Sequence, residues 1–87
     1  MKVGGVTGWL RVAAQAETAS LPMSSHLFAE ASAHMLAVTP TAHWLEVLDL
    51  GRAILAEPIA IVDGAATARG PGLGLVWDEA AVAKYSV

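Results

Sequence analysis

Apolar positions recur at helical spacing in two stretches of the chain. In the first, over roughly residues 6–18, steps of three and four place apolar side chains on one helix face. The second stretch, HLFAEASAHMLAV at residues 26–38, has the same spacing and is followed by Pro40. Proline has no backbone N–H and cannot continue a helix. The pattern therefore predicts two helices, the second following His26.

Two shorter apolar runs lie beside these helices. SLPMS, at residues 20–24, and HWLE, at residues 43–46, are too brief for helices and predict two strands. The resulting order, helix, strand, helix, strand, is typical of α/β proteins with parallel sheets. Catalytic groups of such proteins collect at the carboxyl ends of the strands. His26 and Glu46 both lie at predicted strand ends.

The last third of the chain combines short β-prone runs with glycine-rich turns. IAIVDGAATA contains Asp63 and Gly64 between β-prone runs, which predicts a hairpin. GPGLGLVW, at residues 70–77, is a glycine-rich connection, and DEAAVAKY, at residues 78–85, predicts a short helix capped by Asp78. GPGLG lacks the lysine of a phosphate-binding loop, and acidic residues open the helix after it, so we exclude that function.

Composition narrows the class of protein. Of the 87 residues, 55% are hydrophobic and 15% are charged, with a mean hydropathy of +0.54. These values suit the interior of a larger α/β protein better than a small domain that needs a polar surface. The net charge is −3 and the five basic residues are scattered, so a nucleic-acid partner is not expected. The absence of cysteine excludes disulfides and thiolate zinc sites.

The sequence also bears on location. The first residues, MKVGGVTGWLR, interrupt any apolar run with glycines and a charge, unlike a signal peptide. No stretch offers 18 apolar residues free of helix breakers, as a membrane span requires. We therefore expect a soluble, cytoplasmic chain without a membrane partner.

Histidine is the residue type of this chain that is best suited to proton transfer. Imidazole ordinarily titrates close to neutral pH, so His26 at a strand end could exchange a proton with a substrate. The residues alone leave open that His26 is an ordinary polar loop residue. A histidine metal site is not expected, because His26 and His34 lie two helical turns apart, roughly 12 Å.

Four stretches, taken in order, resemble a known family. They are MKVGGVTGWLR, PMSSHLFAE, TPTAHWLE and PGLGLVWDEAAVAKY, and together they cover nearly the whole chain. They are similar to the C-terminal end of the mandelate racemase/muconate lactonizing enzyme family, in the enolase superfamily. The spacing of SSH, HWLE and PGLGL makes the resemblance specific.

The resemblance implies a fold. This α/β chain would be a C-terminal fragment of a (β/α)₈ barrel, with about two strands and two helices, a hairpin-containing tail and a short C-terminal helix. Residues 1–56 would form the last βα units of the catalytic barrel. Residues 57–87 would pack back toward the capping domain. The remainder of the barrel, or further copies in a homo-oligomer, would be the protein partner.

The resemblance also implies roles for individual residues. His26 matches the family's histidine base at the end of strand seven, and Glu46 the glutamate at the end of strand eight. The glutamate, protonated in a buried site, would donate a hydrogen bond to the substrate carboxylate. Leu27 and Leu48 would line an apolar substrate pocket. The enzyme would use Mg²⁺, whose ligands, like the second-face lysine and the aspartate that orients the histidine, lie outside this chain.

Three functions follow as hypotheses. The first is racemisation of a 2-hydroxy carboxylate through a Mg²⁺-bound enediolate, as in mandelate racemase-like enzymes. The second is dehydration of an acid sugar, which the same His26 and Glu46 could serve. The third is a non-catalytic α/β module for binding or oligomerisation. In all three cases the 87-residue chain by itself is expected to lack enzyme activity.

Overall fold

The structure is a computed structural model that describes residues 2–87. It contains three helices, one 3₁₀ turn and one small antiparallel sheet. In chain order these are α1 (Gly5–Thr18), α2 (Ala29–Ala37), the 3₁₀ turn (Arg52–Ile54), β1 (Ile61–Val62), β2 (Ala65–Ala66) and α3 (Glu79–Tyr85). The predicted helices near residues 6–18 and 78–85 are therefore confirmed, whereas the 3₁₀ turn was not predicted.

Trp9 forms the centre of a small core between α1 and α2. It is buried together with Ala13 and Met23, and Met35 and Leu36 pack against this cluster. The Trp9 indole Nε1 donates to Thr39 Oγ1 at 2.9 Å, so its polar atom is satisfied although it is buried. The cluster thus joins α1 and α2 to the segment that carries Met23.

The two predicted strands lie side by side and parallel, but neither is a regular strand. Met23 and Ala42 form a single parallel bridge, with Met23 N–H donating to Thr41 O at 2.8 Å. His43 N–H donates back to Met23 O at 2.9 Å. Beyond this point the register changes, because Ser25 N–H donates to Trp44 O rather than to His43 O. Serine side chains accept the N–H groups of Trp44 and Glu46. The prediction of full strands at residues 20–24 and 43–46 was therefore wrong, although their parallel direction is as predicted.

Helix α2 begins three residues later than the pattern predicts. Leu27 (φ 60°) and Phe28 (φ 50°) both have left-handed backbone conformations, which an α-helix cannot accommodate. His26 thus lies in the loop before the helix, whose first residue is Ala29. At the other end, α2 stops at Ala37, ahead of Pro40.

The hairpin prediction is confirmed. β1 and β2 pair antiparallel, with Ile61 opposite Ala66 and Val62 opposite Ala65. The turn residues Asp63 (φ 49°) and Gly64 (φ 74°) both have positive φ, as a tight two-residue hairpin requires.

The end of the chain returns to the 3₁₀ turn. Leu55 and Trp77 form an antiparallel bridge, and Asp78 N–H donates to Ile54 O at 3.0 Å. The Asp78 side chain then accepts from Ala81 N–H at 3.0 Å, so it caps α3 as predicted. The described residues form a small α/β structure, in which the segments around Met23 and Ala42 run parallel. Across residues 2–87, no helix is long and apolar enough to cross a membrane.

Candidate active site

His26 and Glu46 meet at the carboxyl ends of the two parallel segments. His26 Nδ1 lies 2.8 Å from Glu46 Oε2. The side chains are 74% and 46% exposed, so the pair lies at an edge that solvent reaches. Parallel segments end at the same edge, and two residues twenty positions apart are therefore brought into contact.

The contact distinguishes the two nitrogens of His26. Nδ1 lies against a carboxyl oxygen, which favours the tautomer with its proton on Nδ1, whereas Nε2 takes no part in the contact. In that neutral tautomer Nε2 carries a free lone pair. The geometry leaves Nε2 as the nitrogen that can take a proton from another molecule.

Glu46 accepts a hydrogen bond at the same oxygen. Leu27 N–H donates to Oε2 at 2.8 Å, so Leu27 N and His26 Nδ1 both lie against this atom. Within residues 2–87, Oε1 takes part in neither contact, and in a protonated carboxyl group it can carry the proton and act as donor. The Glu46 side chain is 46% exposed in this chain, and its expected burial in the site of a complete enzyme stays a prediction.

Two serines before His26 hold the segment that carries Glu46. Ser25 is buried, and its Oγ accepts from Glu46 N–H at 3.2 Å. Ser24 Oγ accepts from Trp44 N–H at 3.3 Å, and Ser25 N–H donates to Trp44 O at 2.9 Å. Their role was not predicted, although the Ser-Ser pair directly before His26 was visible in the sequence.

The predicted pocket residues Leu27 and Leu48 line different clefts. Leu27 and His26 line a cleft of about 570 Å³ beside α1, which also includes Trp9 and Leu21. Leu48 lines a separate cleft of about 270 Å³ near the 3₁₀ turn. Phe28 lies at the edge of both. The described residues therefore do not bring Leu27 and Leu48 into one pocket, and their assignment to a substrate pocket stays a prediction.

The residues of this chain do not fit a magnesium site. Among residues 2–87, no group of three or more His, Asp or Glu side chains is placed to hold a metal ion. His43 packs on Trp44, with ring centroids 4.8 Å apart, and His34 lies in α2 away from Glu46. Magnesium prefers several oxygen ligands in octahedral geometry, which the His26–Glu46 pair alone cannot provide.

In α/β barrel enzymes the active site lies at the carboxyl ends of parallel strands, and the His26–Glu46 contact lies at the corresponding ends of two parallel segments. Residues 1–81 match the model of the enolase C-terminal domain-like family, and the chain belongs to this family. Membership in the enolase superfamily, expected from the sequence motifs, is thereby confirmed.

Comparison with individual proteins gives the same family. The chain is 68% identical to an enolase from Bradyrhizobium that was crystallised with magnesium and mandelic acid, and the two structures have a TM-score of 0.93. The match covers 97% of this chain and 23% of the enolase chain. It is 33% identical to L-talarate dehydratase from Polaromonas sp. JS666, which was crystallised with Mg and L-glucarate, with a TM-score of 0.81. This match covers 92% of this chain and 23% of the dehydratase chain.

A curated relative adds a third activity. The chain is 37% identical over 78 residues to 3,6-anhydro-alpha-L-galactonate cycloisomerase from Streptomyces coelicolor, which corresponds to 87% of this chain and 22% of that protein. The chain thus spans less than a quarter of the length of each relative described here. The printed names of these three relatives differ in the activity or bound compound that they give.

Proposed function

We propose that this chain supplies a histidine base and a hydrogen-bonding glutamate to an enolase-superfamily active site that acts on a 2-hydroxy carboxylate. The observation that carries the proposal is the 2.8 Å contact between His26 Nδ1 and Glu46 Oε2. It leaves Nε2 of His26 free to accept a proton and Oε1 of Glu46 free to donate one.

In the proposed step, His26 Nε2 takes the proton from the carbon next to the substrate carboxylate. The electron pair of the broken C–H bond moves toward the carboxylate, whose oxygens gain negative charge in an enediolate. Glu46, protonated at Oε1, donates a hydrogen bond to one of these oxygens. Such a bond strengthens as the charge develops and so lowers the barrier.

The pair also supports the cation that forms on His26. When Nε2 becomes protonated, the contact of Nδ1 with Glu46 Oε2 would keep the ring oriented. Replacement of the abstracted proton on Nε2 by one from solvent, followed by transfer to the same carbon, would complete the exchange. Racemisation needs a second base on the opposite face of the substrate, and we propose that it comes from residues outside this chain.

Magnesium enters the proposal only at the level of the complete enzyme. Both solved relatives described above were crystallised with it, and that observation supports Mg²⁺ in the family. Its ligands would come from the remaining parts of a barrel, which is also the proposed protein partner. In that assembly, residues 57–87 would pack back toward the capping domain.

Two observations favour a mandelate-like substrate over an acid sugar. The 68% identity is to an enolase crystallised with mandelic acid. The cleft beside His26 is lined mainly by apolar side chains, including Trp9, Val12 and Leu21, which suits an aromatic or aliphatic group.

The second candidate is an acid-sugar dehydratase. It is supported by the 33% identity to L-talarate dehydratase, crystallised with L-glucarate. The same α-proton abstraction by His26 would there be followed by loss of a β-hydroxyl group. The cycloisomerase relative shows a further outcome within the same family. The non-catalytic module, a partner for other copies of the chain, remains the alternative from a different class.

A chimera tests the proposal directly. This chain would replace the matched 23% of the Bradyrhizobium enolase, with the unmodified enolase as the matched control. Each enantiomer of mandelate would be incubated in D₂O with Mg²⁺, and loss of the α-proton followed by NMR. L-Glucarate would be assayed in parallel for dehydration.

The outcomes separate the candidates. Exchange and racemisation of mandelate are expected. Dehydration of L-glucarate without mandelate exchange would select the second candidate. A folded chimera that acts on neither substrate, beside an active control, would contradict the proposed function and favour the non-catalytic module.

A further inference from the structure

Ser32 is the most deeply buried polar side chain of the described residues, and the proposed chemistry does not use it. Its side chain is 1% exposed and lies in the first turns of α2. The Ser32 hydroxyl donates to the backbone carbonyl of Leu27 at 2.8 Å. A buried hydroxyl that donates its hydrogen bond to a loop carbonyl restricts the position of that carbonyl.

Leu27 is a residue whose conformation needs such support. Its φ of 60° is left-handed, and Phe28 after it has a φ of 50°. For a non-glycine residue this region is unfavourable, and it persists where surrounding contacts enforce it. The N–H of Leu27 donates to Glu46 Oε2 on one side, and its carbonyl accepts from Ser32 on the other.

We infer that Ser32 is a positioning residue for the His26–Glu46 pair. By holding the Leu27 carbonyl, it keeps Leu27 left-handed and directs the Leu27 N–H toward Glu46 Oε2. The Leu27 N–H and His26 Nδ1 then lie against the same oxygen, an arrangement that favours the His26 tautomer with its proton on Nδ1 and leaves Nε2 outside the contact. The catalytic meaning of this arrangement rests on the proposed function, whereas the arrangement itself can be measured without it.

The tautomer of His26 is the direct readout. The full 87-residue chain, labelled with ¹⁵N-histidine, would be studied at pH 8 by magic-angle-spinning NMR, which tolerates self-association. His34→Asn and His43→Asn assign the signals. In the unmodified chain we expect the Nδ1–H form. Ser32→Ala should lower the ratio of Nδ1–H to Nε2–H forms about fivefold, as expected for loss of one supporting hydrogen bond.

Two further variants separate positioning from general stability. Ala33→Gly weakens α2 at the neighbouring buried position without touching the Leu27 carbonyl, and it should leave the tautomer ratio unchanged. Leu27→Gly combined with Ser32→Ala should restore the ratio, because glycine adopts positive φ without penalty and keeps the N–H donor. Rescue of a lost hydroxyl by a backbone change would not occur if Ser32 only filled space.

Kinetics of the chimera complete the test. There, Ser32→Ala should lower kcat about tenfold with little change in KM, since it disturbs the orientation of the base more than substrate binding. Three outcomes would overturn the inference. The first is an unchanged tautomer ratio in Ser32→Ala, and the second is an equal change of the ratio in Ala33→Gly. The third is failure of both Ser32→Ala and the double variant to fold. An inactive unmodified chimera together with the expected NMR results would instead contradict the proposed function alone.

Discussion

At the scale of single residues, the role proposed for His26 is that of a base for one face of the substrate. Its Nδ1 lies 2.8 Å from Glu46 Oε2, and Nε2 is outside this contact. In the chimera, His26→Asn should therefore slow α-proton exchange of one mandelate enantiomer by about 10²-fold or more and leave the exchange of the other largely intact. Asparagine keeps an N–H donor for Glu46 but has no titrating nitrogen. Deuterium exchange followed by NMR measures both rates.

His34→Asn is the matched control for this variant. His34 lies in α2 and not in the pair, so both enantiomers should exchange as in the unmodified chimera. Equal loss for both enantiomers in His26→Asn would count against its assignment as a base for one face.

The role proposed for Glu46 differs from that of His26, because it depends on a hydrogen bond that would strengthen along the reaction. Glu46→Gln keeps an oxygen that can accept from Leu27 N–H, but it removes the acidic proton proposed for Oε1. We expect kcat of the chimera to fall about 10²-fold with little change in KM. Steady-state kinetics test this, with Glu57→Gln, a substitution outside the pair, as control. A rise in KM at constant kcat would make Glu46 a substrate-binding residue instead.

At the scale of elements, helix α3 depends on its N-cap residue, Asp78. Asp78 accepts from Ala81 N–H, and the helix is only seven residues long, so packing and the cap must together hold it. Asp78→Ala should destabilise the helix by about 1 kcal/mol, which is a roughly fivefold faster amide exchange in its last turn. Hydrogen exchange measured by mass spectrometry tests this. Asp78→Asn preserves a capping oxygen and should exchange like the unmodified chain.

The elements also show which features local sequence encodes. The Asp63–Gly64 turn and the Asp78 cap follow from interactions within a few residues, and both could be predicted. The start of α2 could not, because Leu27 is a leucine in a left-handed conformation that contacts with Ser32 and Glu46 maintain. Ser32 is separated from Leu27 by five positions, and Glu46 by 19, so a periodicity of apolar residues carries no signal of either bond.

The candidate site also has features that the sequence predicted and features that it did not. His26 and Glu46 were found through the motifs SSH and HWLE, and the structure places them in contact. The strand pairing that joins them was predicted only in direction. Its register depends on the hydroxyls of Ser24 and Ser25, which accept N–H groups from the opposite segment and end the regular ladder. Side-chain acceptors that replace a strand partner are not visible in a hydrophobic pattern.

At the scale of the whole molecule, the chain exposes much apolar surface. Several large side chains are more than half exposed, among them Leu21 (58%), Phe28 (54%), Trp44 (69%) and Leu50 (65%). The parallel segments around Met23 and Ala42 pair with each other, and their outer edges are not paired within residues 2–87. Unpaired edges and apolar patches favour association with another chain.

We therefore expect the isolated 87-residue chain to self-associate and to unfold without a sharp cooperative transition. Analytical ultracentrifugation and a urea melt test this, with Trp44→Ser as a variant that should reduce association by removing one exposed apolar side chain. The isolated chain should also fail to racemise mandelate with or without Mg²⁺, because residues 2–87 provide no metal cluster and His26 serves one face only. A monomer with a cooperative melt, or Mg²⁺-dependent loss of optical rotation in polarimetry, would contradict this expectation and identify a self-sufficient domain.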